Sequence, residues 1–227
     1  MPLILNIETA TEVCSVCLSQ NGAVLALRES ASAMDHAAQI TLMIAACFQE
    51  AGLELAALDA VAVSDGPGSY TSLRIGLATA KGICYALDKP LIAVPTLQSM
   101  AWAAAVEMPH ADIFVPMIDA RRMEVYMQAF DRDINPINDA EAIILHPELF
   151  DSWLQVGQSV VCAGNGSDKA QAVVAGPGVS FSGVRCSALH LIALAEIAFA
   201  EATFADIAYH APFYLKPPNI TIPRKGL

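Results

Sequence analysis

The residues of this sequence best suited to chemistry lie in a glycine-rich turn. A short β-branched run ends at Gly66-Pro67-Gly68, and an apolar segment without proline continues beyond Ser69 as far as Pro90. This pattern predicts a strand, a tight loop and a helix capped by the Ser69 hydroxyl. Glycines allow close approach and a helix start presents N–H donors, so Gly66, Gly68 and Ser69 are candidates for holding a phosphate. The alternative is an ordinary turn, since the lysine of a Walker loop is missing.

One acidic residue, Asp119, joins these candidates. It closes an apolar run that begins at Ile113 and is followed by an alanine and two arginines, which predicts a strand that ends in an acidic turn. A carboxylate in such a turn can hold magnesium through water, or it can bond to the nearby backbone and stabilise the turn. Both interpretations are open from the sequence.

Residue types that support nucleophilic or metal chemistry are present but poorly arranged. Ser69 lacks the G-x-S-x-G elbow of hydrolases. Cys14 and Cys17 show a C-x-x-C spacing, but an offset of three in a strand places the two side chains on opposite faces. The five histidines are scattered along the chain. We therefore predict no catalytic residue, no metal site, and reduced, buried thiols at the six cysteines.

The composition indicates more apolar surface than one core requires. Of the 227 residues, 55% are hydrophobic and 15% are charged, whereas a typical soluble domain has about 25% charged residues. The sequence contains no uninterrupted apolar run of membrane-spanning length and no signal-like start, so we expect a cytoplasmic protein without membrane contact. The surplus of apolar residues predicts a subunit interface.

The charge balance bears on the kind of partner. A net charge of −11 argues against direct binding of nucleic acid by this chain alone, because phosphate contacts need lysine and arginine. Residues 1–60 contain seven acidic residues and a single base, Arg28. This asymmetry is typical either of a surface that meets a basic protein or of a solvated acidic face.

Hydrophobic periodicity predicts a strand-rich beginning followed by alternating helices and strands. We predict strands at Leu3–Glu8, Val13–Gln20 and Ala23–Glu29, a helix from a cap near Asp35 to Ala51, the strand and helix around the glycine-rich turn as far as Leu87, a strand at Leu91–Val94 and a helix from Leu97 to about Val106. The order β-β-β-α-β-α-β-α suits a mixed sheet flanked by helices.

The same pattern begins again near Ile113, which predicts a duplicated α/β fold with a cleft between the halves. We place the halves at residues 1–106 and 107–227, the second being smaller and degenerate. In the second half we predict a strand at Glu124–Asp131, a helix at Leu145–Gln155, a strand at Ser159–Ala163, a loop-rich region at 164–183, a helix from Ala188 to about Thr203 and an extended tail from Ala211. We expect the last helix and the tail to pack back on the first half.

The helices predicted at 36–51 and 70–87 each carry an uncharged face in addition to the face that meets the core. Such surface must be covered by the domain itself or by another chain. The candidate partner-interface residues on these faces and on the neighbouring basic stripe are Leu42, Ala45, Ala46, Gln49, Arg74, Ile75, Ala78, Thr79, Lys81, Gly82 and Ala86.

Four segments together resemble the bacterial TsaB (YeaZ) family. They are residues 6–11 (Asn-Ile-Glu-Thr-Ala-Thr), 64–76 (Ser-Asp-Gly-Pro-Gly-Ser-Tyr-Thr-Ser-Leu-Arg-Ile-Gly), 95–97 (Pro-Thr-Leu) and 118–126 (Ile-Asp-Ala-Arg-Arg-Met-Glu-Val-Tyr). The resemblance covers most of the chain. It implies two actin-like (ASKHA), ribonuclease-H-like lobes. It also implies a partner subunit of TsaD, which with the ATPase TsaE transfers a threonylcarbamoyl group to the adenosine beside the anticodon of certain tRNAs.

The resemblance also identifies where this chain departs from its catalytic relatives. TsaD carries an HxxxH pair that holds a metal, and here Thr96 and Met100 occupy the two histidine positions. A hydroxyl and a thioether do not replace imidazoles on such an ion. Actin-like kinases place an aspartate and a glycine in the first hairpin, where this chain has Glu8 and Ala10.

The resemblance therefore implies a non-catalytic subunit without a cofactor. It is expected to form a heterodimer with a TsaD-like subunit, to meet a TsaE-like ATPase, to form a homodimer when alone, and to meet tRNA only through the complex. The alternative function is that of an actin-like ATPase or small-molecule kinase that binds nucleotide between its lobes, at the phosphate-loop candidates and Asp119.

Overall fold

A computed structural model describes residues 2–30 and 35–217, and it contains two five-stranded sheets. The first sheet comprises β1 (Leu3–Glu8), β2 (Cys14–Gln20), β3 (Ala23–Ser30), β4 (Ala60–Gly66) and β5 (Leu91–Pro95), in the spatial order β3-β2-β1-β4-β5. Strands β1, β2 and β3 pair antiparallel, while β4 and β5 continue the sheet in parallel with β1. The buried β1, flanked on both sides, forms the centre of this lobe.

The second sheet repeats the topology of the first. It comprises β6 (Ile113–Asp119), β7 (Glu124–Met127), β8 (Glu141–Ile144), β9 (Val160–Ala163) and β10 (Val179–Phe181), in the order β10-β9-β6-β7-β8. Strand β6 takes the place of β1, with antiparallel β7 and β8 on one side and parallel β9 and β10 on the other. The predicted α/β fold with two lobes of mixed sheet is thereby confirmed.

Six α-helices accompany the sheets within the described residues. They are α1 (His36–Ala51), α2 (Tyr70–Leu87), α3 (Thr96–Glu107), α4 (Asp151–Leu154), α5 (Ser167–Val174) and α6 (Ile192–Ala200). Helix α2 begins as predicted, because the Ser69 hydroxyl accepts a hydrogen bond from the Ser72 amide. Asp35 stands at the start of α1 but its side chain makes no capping bond, whereas Gly52 ends the helix in the left-handed conformation that glycine favours.

The end of the described chain packs on the first lobe. Leu191 and Ala195 join a buried apolar cluster with Ile4, Ala62 and Ile92 of the first sheet. Because this cluster buries side chains from both ends of the chain, the core of the first lobe is completed by residues of the second half.

Three predictions for the second half are wrong in detail. The helix predicted at Leu145–Gln155 is a single turn, α4, preceded by strand β8, which periodicity did not reveal. The strand predicted at Glu124–Asp131 ends at Met127. The region 164–183, predicted as loop, contains α5 and β10, whose short lengths leave too few residues for a clear period.

The predicted helix at 188–203 divides into a 3₁₀ turn, Ala188–Leu191, followed by α6. Within the described part of the chain, no helix combines the length and the apolar character that crossing a bilayer would require.

Two glycines of α2 provide a test of this packing. A Cβ added at Gly76 would lie 2.3 Å from the buried Thr9 hydroxyl, whereas a Cβ at Gly82 would meet no atom within 4 Å. We expect Gly76→Ala to lower the free energy of unfolding by about 1 to 3 kcal/mol through overpacking. Gly82→Ala should raise it by roughly 0.5 to 1 kcal/mol, because alanine is the better helix former.

Urea denaturation of both variants measures the two effects in the same helix. Equal stability changes of the same sign would contradict the close contact between α2 and the loop after β1.

Candidate functional site

A cleft of about 570 Å³ lies between the lobes. Its walls come from the loop after β1, the start of α2, the β6–β7 turn and the segment 214–217. The cleft brings together three of the four phosphate-site candidates, Gly68, Ser69 and Asp119. The fourth, Gly66, is buried behind the cleft, where an added Cβ would lie 2.4 Å from the Phe213 carbonyl oxygen.

Two amides of the glycine-rich turn, those of Gly66 and Ser69, are already bonded within the protein. The Ser69 amide donates to the Ala10 carbonyl oxygen at 2.7 Å. A Cβ at Gly68 would lie 2.4 Å from the same oxygen. The group that comes close to the backbone of Gly68 is therefore the loop after β1, where a phosphate would otherwise lie. A phosphate at this position would have to displace a backbone hydrogen bond, and this arrangement disfavours phosphate binding.

Asp119 also has its partners inside the protein. Its Oδ1 accepts hydrogen bonds from Lys169 Nζ and from the Arg121 amide, both at 2.6 Å. Partial burial raises the pKa of Asp119, but the bonds from Lys169 and Arg121 outweigh this and lower its pKa below the ordinary value. The carboxylate therefore stabilises the β6–β7 turn and balances a lysine. The structure favours the turn-forming interpretation over magnesium binding.

Thr96 and Met100, which the resemblance places at the histidine positions of TsaD, support the core. Thr96 Oγ1 accepts a hydrogen bond from the Gly66 amide at 3.0 Å, and Met100 Sδ lies 3.6 Å from Cys186 Sγ. Both Thr96 and Met100 are fully buried. Across residues 2–30 and 35–217, no three His, Cys, Asp or Glu side chains come close enough to hold a metal. The residues at this position do not fit a metal ion.

Glu8 is a charged group whose role periodicity did not predict. It is completely buried at the end of β1, its Oε1 accepts from the Ala10 amide at 2.5 Å, and its Oε2 has no partner among the described residues. Desolvation raises its pKa to about 7, against the effect of its hydrogen bonds. Glu8 therefore holds the loop after β1 in place. In the sequence, the position of this acid at the end of an apolar strand was the signal that could have indicated its role.

The predicted partner face is open in the structure. On α1, Leu42 is 69% exposed, with exposed Ala45 and Gln49 and half-buried Ala46 beside it. On α2, Ala78, Gly82 and Ala86 are exposed, and Ile75 and Thr79 are half-buried. Tyr85, which the sequence analysis did not include, lies on this helix with 84% of its surface exposed.

The polar groups of α2 do not interrupt this face. The Thr79 hydroxyl donates to the Ile75 carbonyl oxygen of its own helix at 2.9 Å. Arg74 Nε donates to the Tyr214 hydroxyl, and Lys81 Nζ donates to the His210 carbonyl oxygen at 2.7 Å. The two bases are thus engaged by the segment 208–214, which leaves an uncharged strip along α1 and α2.

Comparison with known proteins relates the whole architecture to one group. A family profile described as "TsaD: tRNA N6-adenosine threonylcarbamoyltransferase" matches residues 29–222. The "tRNA threonylcarbamoyladenosine biosynthesis protein TsaB" of Escherichia coli K12 is 37% identical over 155 residues, which are 67% of this chain and 66% of that protein. Matches to TsaB proteins of three bacteria span between 54 and 66% of their own lengths.

Solved structures extend the likeness to the full fold. "YeaZ from Pseudomonas aeruginosa" superposes with a TM-score of 0.81 at 28% identity, covering 95% of this chain and all of that one. Component A of the (R)-2-hydroxyglutaryl-CoA dehydratase of Acidaminococcus fermentans gives a TM-score of 0.53 at 10% identity, over 89% of this chain and all of that one. The second likeness concerns the fold alone, which is the actin-like (ASKHA) fold.

The buried Glu8 predicts how stability depends on pH. Because folding raises the pKa of Glu8 from 4.5 to about 7, its contribution is fully present below pH 4.5 and is lost as the pH rises through 7. Glu8→Gln keeps an oxygen for the Ala10 amide and removes the titration. We expect the free energy of unfolding of the variant, relative to the native protein, to rise by about 3 kcal/mol between pH 4.5 and 7.5.

Urea denaturation at a series of pH values measures this difference. Glu12→Gln provides the control, because Glu12 lies on the exposed rim of the cleft. A difference between native protein and Glu8→Gln that is constant across this pH range would contradict the burial of an ionisable Glu8.

Proposed function

This chain belongs to the TsaB (YeaZ) family, and we propose that it is a non-catalytic subunit that binds and supports a TsaD-like catalytic subunit in threonylcarbamoyl transfer to tRNA. The observation that carries the proposal is the uncharged face of α1 and α2, which residues 2–30 and 35–217 leave open. The names of its relatives indicate the pathway, since they describe biosynthesis of threonylcarbamoyladenosine in tRNA.

The form of the face favours a helical partner. This side of α2 carries only small residues, alanine or glycine, at positions 78, 82 and 86. A second helix can therefore approach the backbone of α2 closely. Leu42 and Tyr85 are large enough to fill grooves on a partner and to bury apolar area. We infer that α1 and α2 pair with the equivalent helices of the TsaD-like chain as a helical bundle.

The same surface explains the expected behaviour of the isolated protein. A contiguous apolar strip exposed on a single subunit favours self-association, so we expect a homodimer in the absence of the partner. When the TsaD-like subunit is added, the heterodimer should replace the homodimer, because both would use the same strip. We expect a TsaE-like ATPase to join this complex, and tRNA to meet the chain only within it.

The interior of the cleft supports a role without catalysis by this chain. The glycine-rich turn donates to Ala10, Asp119 is held by Lys169, and Thr96 and Met100 replace the metal-binding histidines of the catalytic relatives. In this chain these positions are used for packing or for internal hydrogen bonds. The chain would therefore contribute shape to the complex, and the TsaD-like subunit would contribute the reactive groups.

The second candidate function is that of an ATPase or small-molecule kinase. It is favoured by one observation, the convergence of Gly68, Ser69 and Asp119 on the cleft. Calorimetric titration of the isolated chain with ATP and magnesium distinguishes the two functions. Micromolar binding would support the nucleotide-binding function, whereas the absence of heat would leave the subunit role as the account of this fold.

A charge placed on the open face should weaken pairing without unfolding the chain. We expect Ala78→Glu to weaken association with the TsaD-like subunit by on the order of 100-fold, because a carboxylate without a partner would be buried at the interface. Ala172→Glu, on exposed α5 of the other lobe, is the matched control and should bind as the native chain does. Light scattering of the mixed proteins measures the mass of the complex.

Circular dichroism of both variants tests whether folding is retained. A native chain that stays monomeric and ignores the TsaD-like subunit would contradict the proposed function. An Ala78→Glu variant that binds normally would contradict the proposed location of the interface.

A further inference from the structure

The mouth of the cleft carries an unusual concentration of unbalanced positive charge. In a chain of net charge −11, Arg121 and Arg122 stand side by side and exposed in the β6–β7 turn. Neither guanidinium makes an ion pair or a hydrogen bond to any residue within 2–30 or 35–217. Asp119 lies near Arg121, but its ion pair is with Lys169, and two adjacent exposed arginines outside any ion pair are a surface suited to an anionic partner.

The backbone of the turn holds these arginines in a rare conformation. Arg121 and Arg122 have φ values of +70° and +52°, which are uncommon for residues other than glycine. Lys169 stabilises the turn, since its Nζ donates to the Arg122 carbonyl oxygen at 3.0 Å and to Asp119 at 2.6 Å. The lysine is thereby neutralised, and it fixes the turn from which the two arginines project.

The two lysines near the mouth are each paired with an acid. Lys216 pairs with Glu124, and the Glu12 carboxylate accepts from the Asn165 amide at 2.8 Å. Because Lys169 and Lys216 each balance one acid, Glu12 is, among the described residues that line the cleft, the acid that lacks a basic partner and is set against Arg121 and Arg122. The local balance is positive, opposite in sign to the chain as a whole.

Aromatic side chains line the same opening. The rings of Tyr70 and Tyr214 lie 4.7 Å apart at an interplanar angle of 37°, and the Arg74 guanidinium sits 4.2 Å over the Tyr70 ring. Tyr126, from β7 of the other lobe, lines the cleft wall with Tyr70 and Tyr214. Tyrosine faces beside arginine are the combination that proteins use to stack unpaired bases and contact their phosphates.

We infer that this cleft mouth is a contact surface for a single-stranded RNA loop, with Arg121 and Arg122 on phosphates and Tyr126, Tyr70 and Tyr214 against bases. The inference rests on the proposed function, in which the chain meets tRNA within a complex. A free nucleotide fits less well, because its phosphates would need the Ser69 amide that already bonds to Ala10. An acidic peptide would make no use of the tyrosine faces.

The size of the opening and the overall charge set limits on this contact. A cleft of about 570 Å³ has room for unstacked bases but not for a duplex, so a loop is the part of the RNA that enters. The net charge of −11 opposes RNA binding by the chain alone. The contact therefore adds a minor part of the binding energy. Its effect on RNA affinity becomes measurable when the TsaD-like subunit supplies the main part.

Charge-removing variants in the full complex test the inference. The probe is a fluorescein-labelled anticodon stem-loop RNA, and its anisotropy is followed over a series of salt concentrations. We expect the double variant Arg121→Gln and Arg122→Gln to weaken binding on the order of tenfold. The slope of log affinity against log salt should fall by about 1.4, since each contact to single-stranded RNA contributes about 0.7.

Lys89→Gln is the control for charge removal. Lys89 lies just beyond the C-terminal end of α2, roughly 27 Å from the cleft end of that helix at 1.5 Å per residue. It should leave both affinity and slope unchanged. An affinity and slope that the arginine variants do not alter would overturn the inference, as would a slope that Lys89→Gln lowers equally.

A tyrosine variant separates base stacking from charge. Tyr126→Leu should weaken RNA binding roughly 5- to 100-fold with no change in the salt slope, whereas Tyr209→Leu, which is 88% exposed on the C-terminal segment, should have no effect. Retained affinity in Tyr126→Leu would overturn the stacking role. Thermal unfolding of each variant verifies that the fold is intact.

Light scattering on the same samples keeps this inference separate from the proposed function. If the native chain forms no complex with the TsaD-like subunit, the proposed function fails and the RNA contact fails with it. If the complex forms and RNA affinity is insensitive to the arginine and tyrosine variants, only the RNA contact is overturned. A duplex RNA without a loop that binds as tightly as the stem-loop would likewise contradict recognition of unpaired bases.

Discussion

The contact between two loops of the first lobe fixes both the floor of the cleft and the start of helix α2. The loop after β1 presses on the glycine-rich turn before α2, through the Ser69 amide on the Ala10 carbonyl and the close approach of Gly68. The glycine-rich turn is the position at which the sequence predicted a phosphate site. Here the buried carboxyl of Glu8 holds the first loop from below, so the cleft floor is closed by the protein itself.

This closure connects the interior of the molecule to its surface. The same contact fixes the start of α2, and a cluster of core residues fixes α1 beside it. Because the positions of both helices are set from within the lobe, their outer face is a stable platform even without a partner. A subunit with a closed cleft floor and an open helical face is suited to binding and positioning another protein.

The sequence predicted the first lobe well and the second less well, for physical reasons. Long elements such as α1 and α2 contain several turns of regular period and end at strong signals, Gly52 and Ser69. The single turn of α4 and the three residues of β10 are too short to show a period.

The candidate site could be predicted only in part. Motifs indicated the residues that line the cleft, because glycines and acids after strands mark loop positions. The cation and tyrosine cluster at the mouth was not predictable, since the hairpin with Arg121 and Tyr126, the start of α2 with Tyr70, and the segment with Tyr214 are brought together only by the tertiary fold. The engagement of Ser69 by Ala10 is likewise a contact between distant residues, 59 positions apart in the chain.

Hydrogen exchange of backbone amides, with and without the TsaD-like subunit, tests the central claim most directly. If the chain acts through its helical face, addition of the partner should slow exchange in α1 and α2 and leave exchange in the outer helix α5 unchanged. Exchange that is unaltered in α1 and α2 while the complex forms would contradict the account, because the partner would then be bound elsewhere on the molecule.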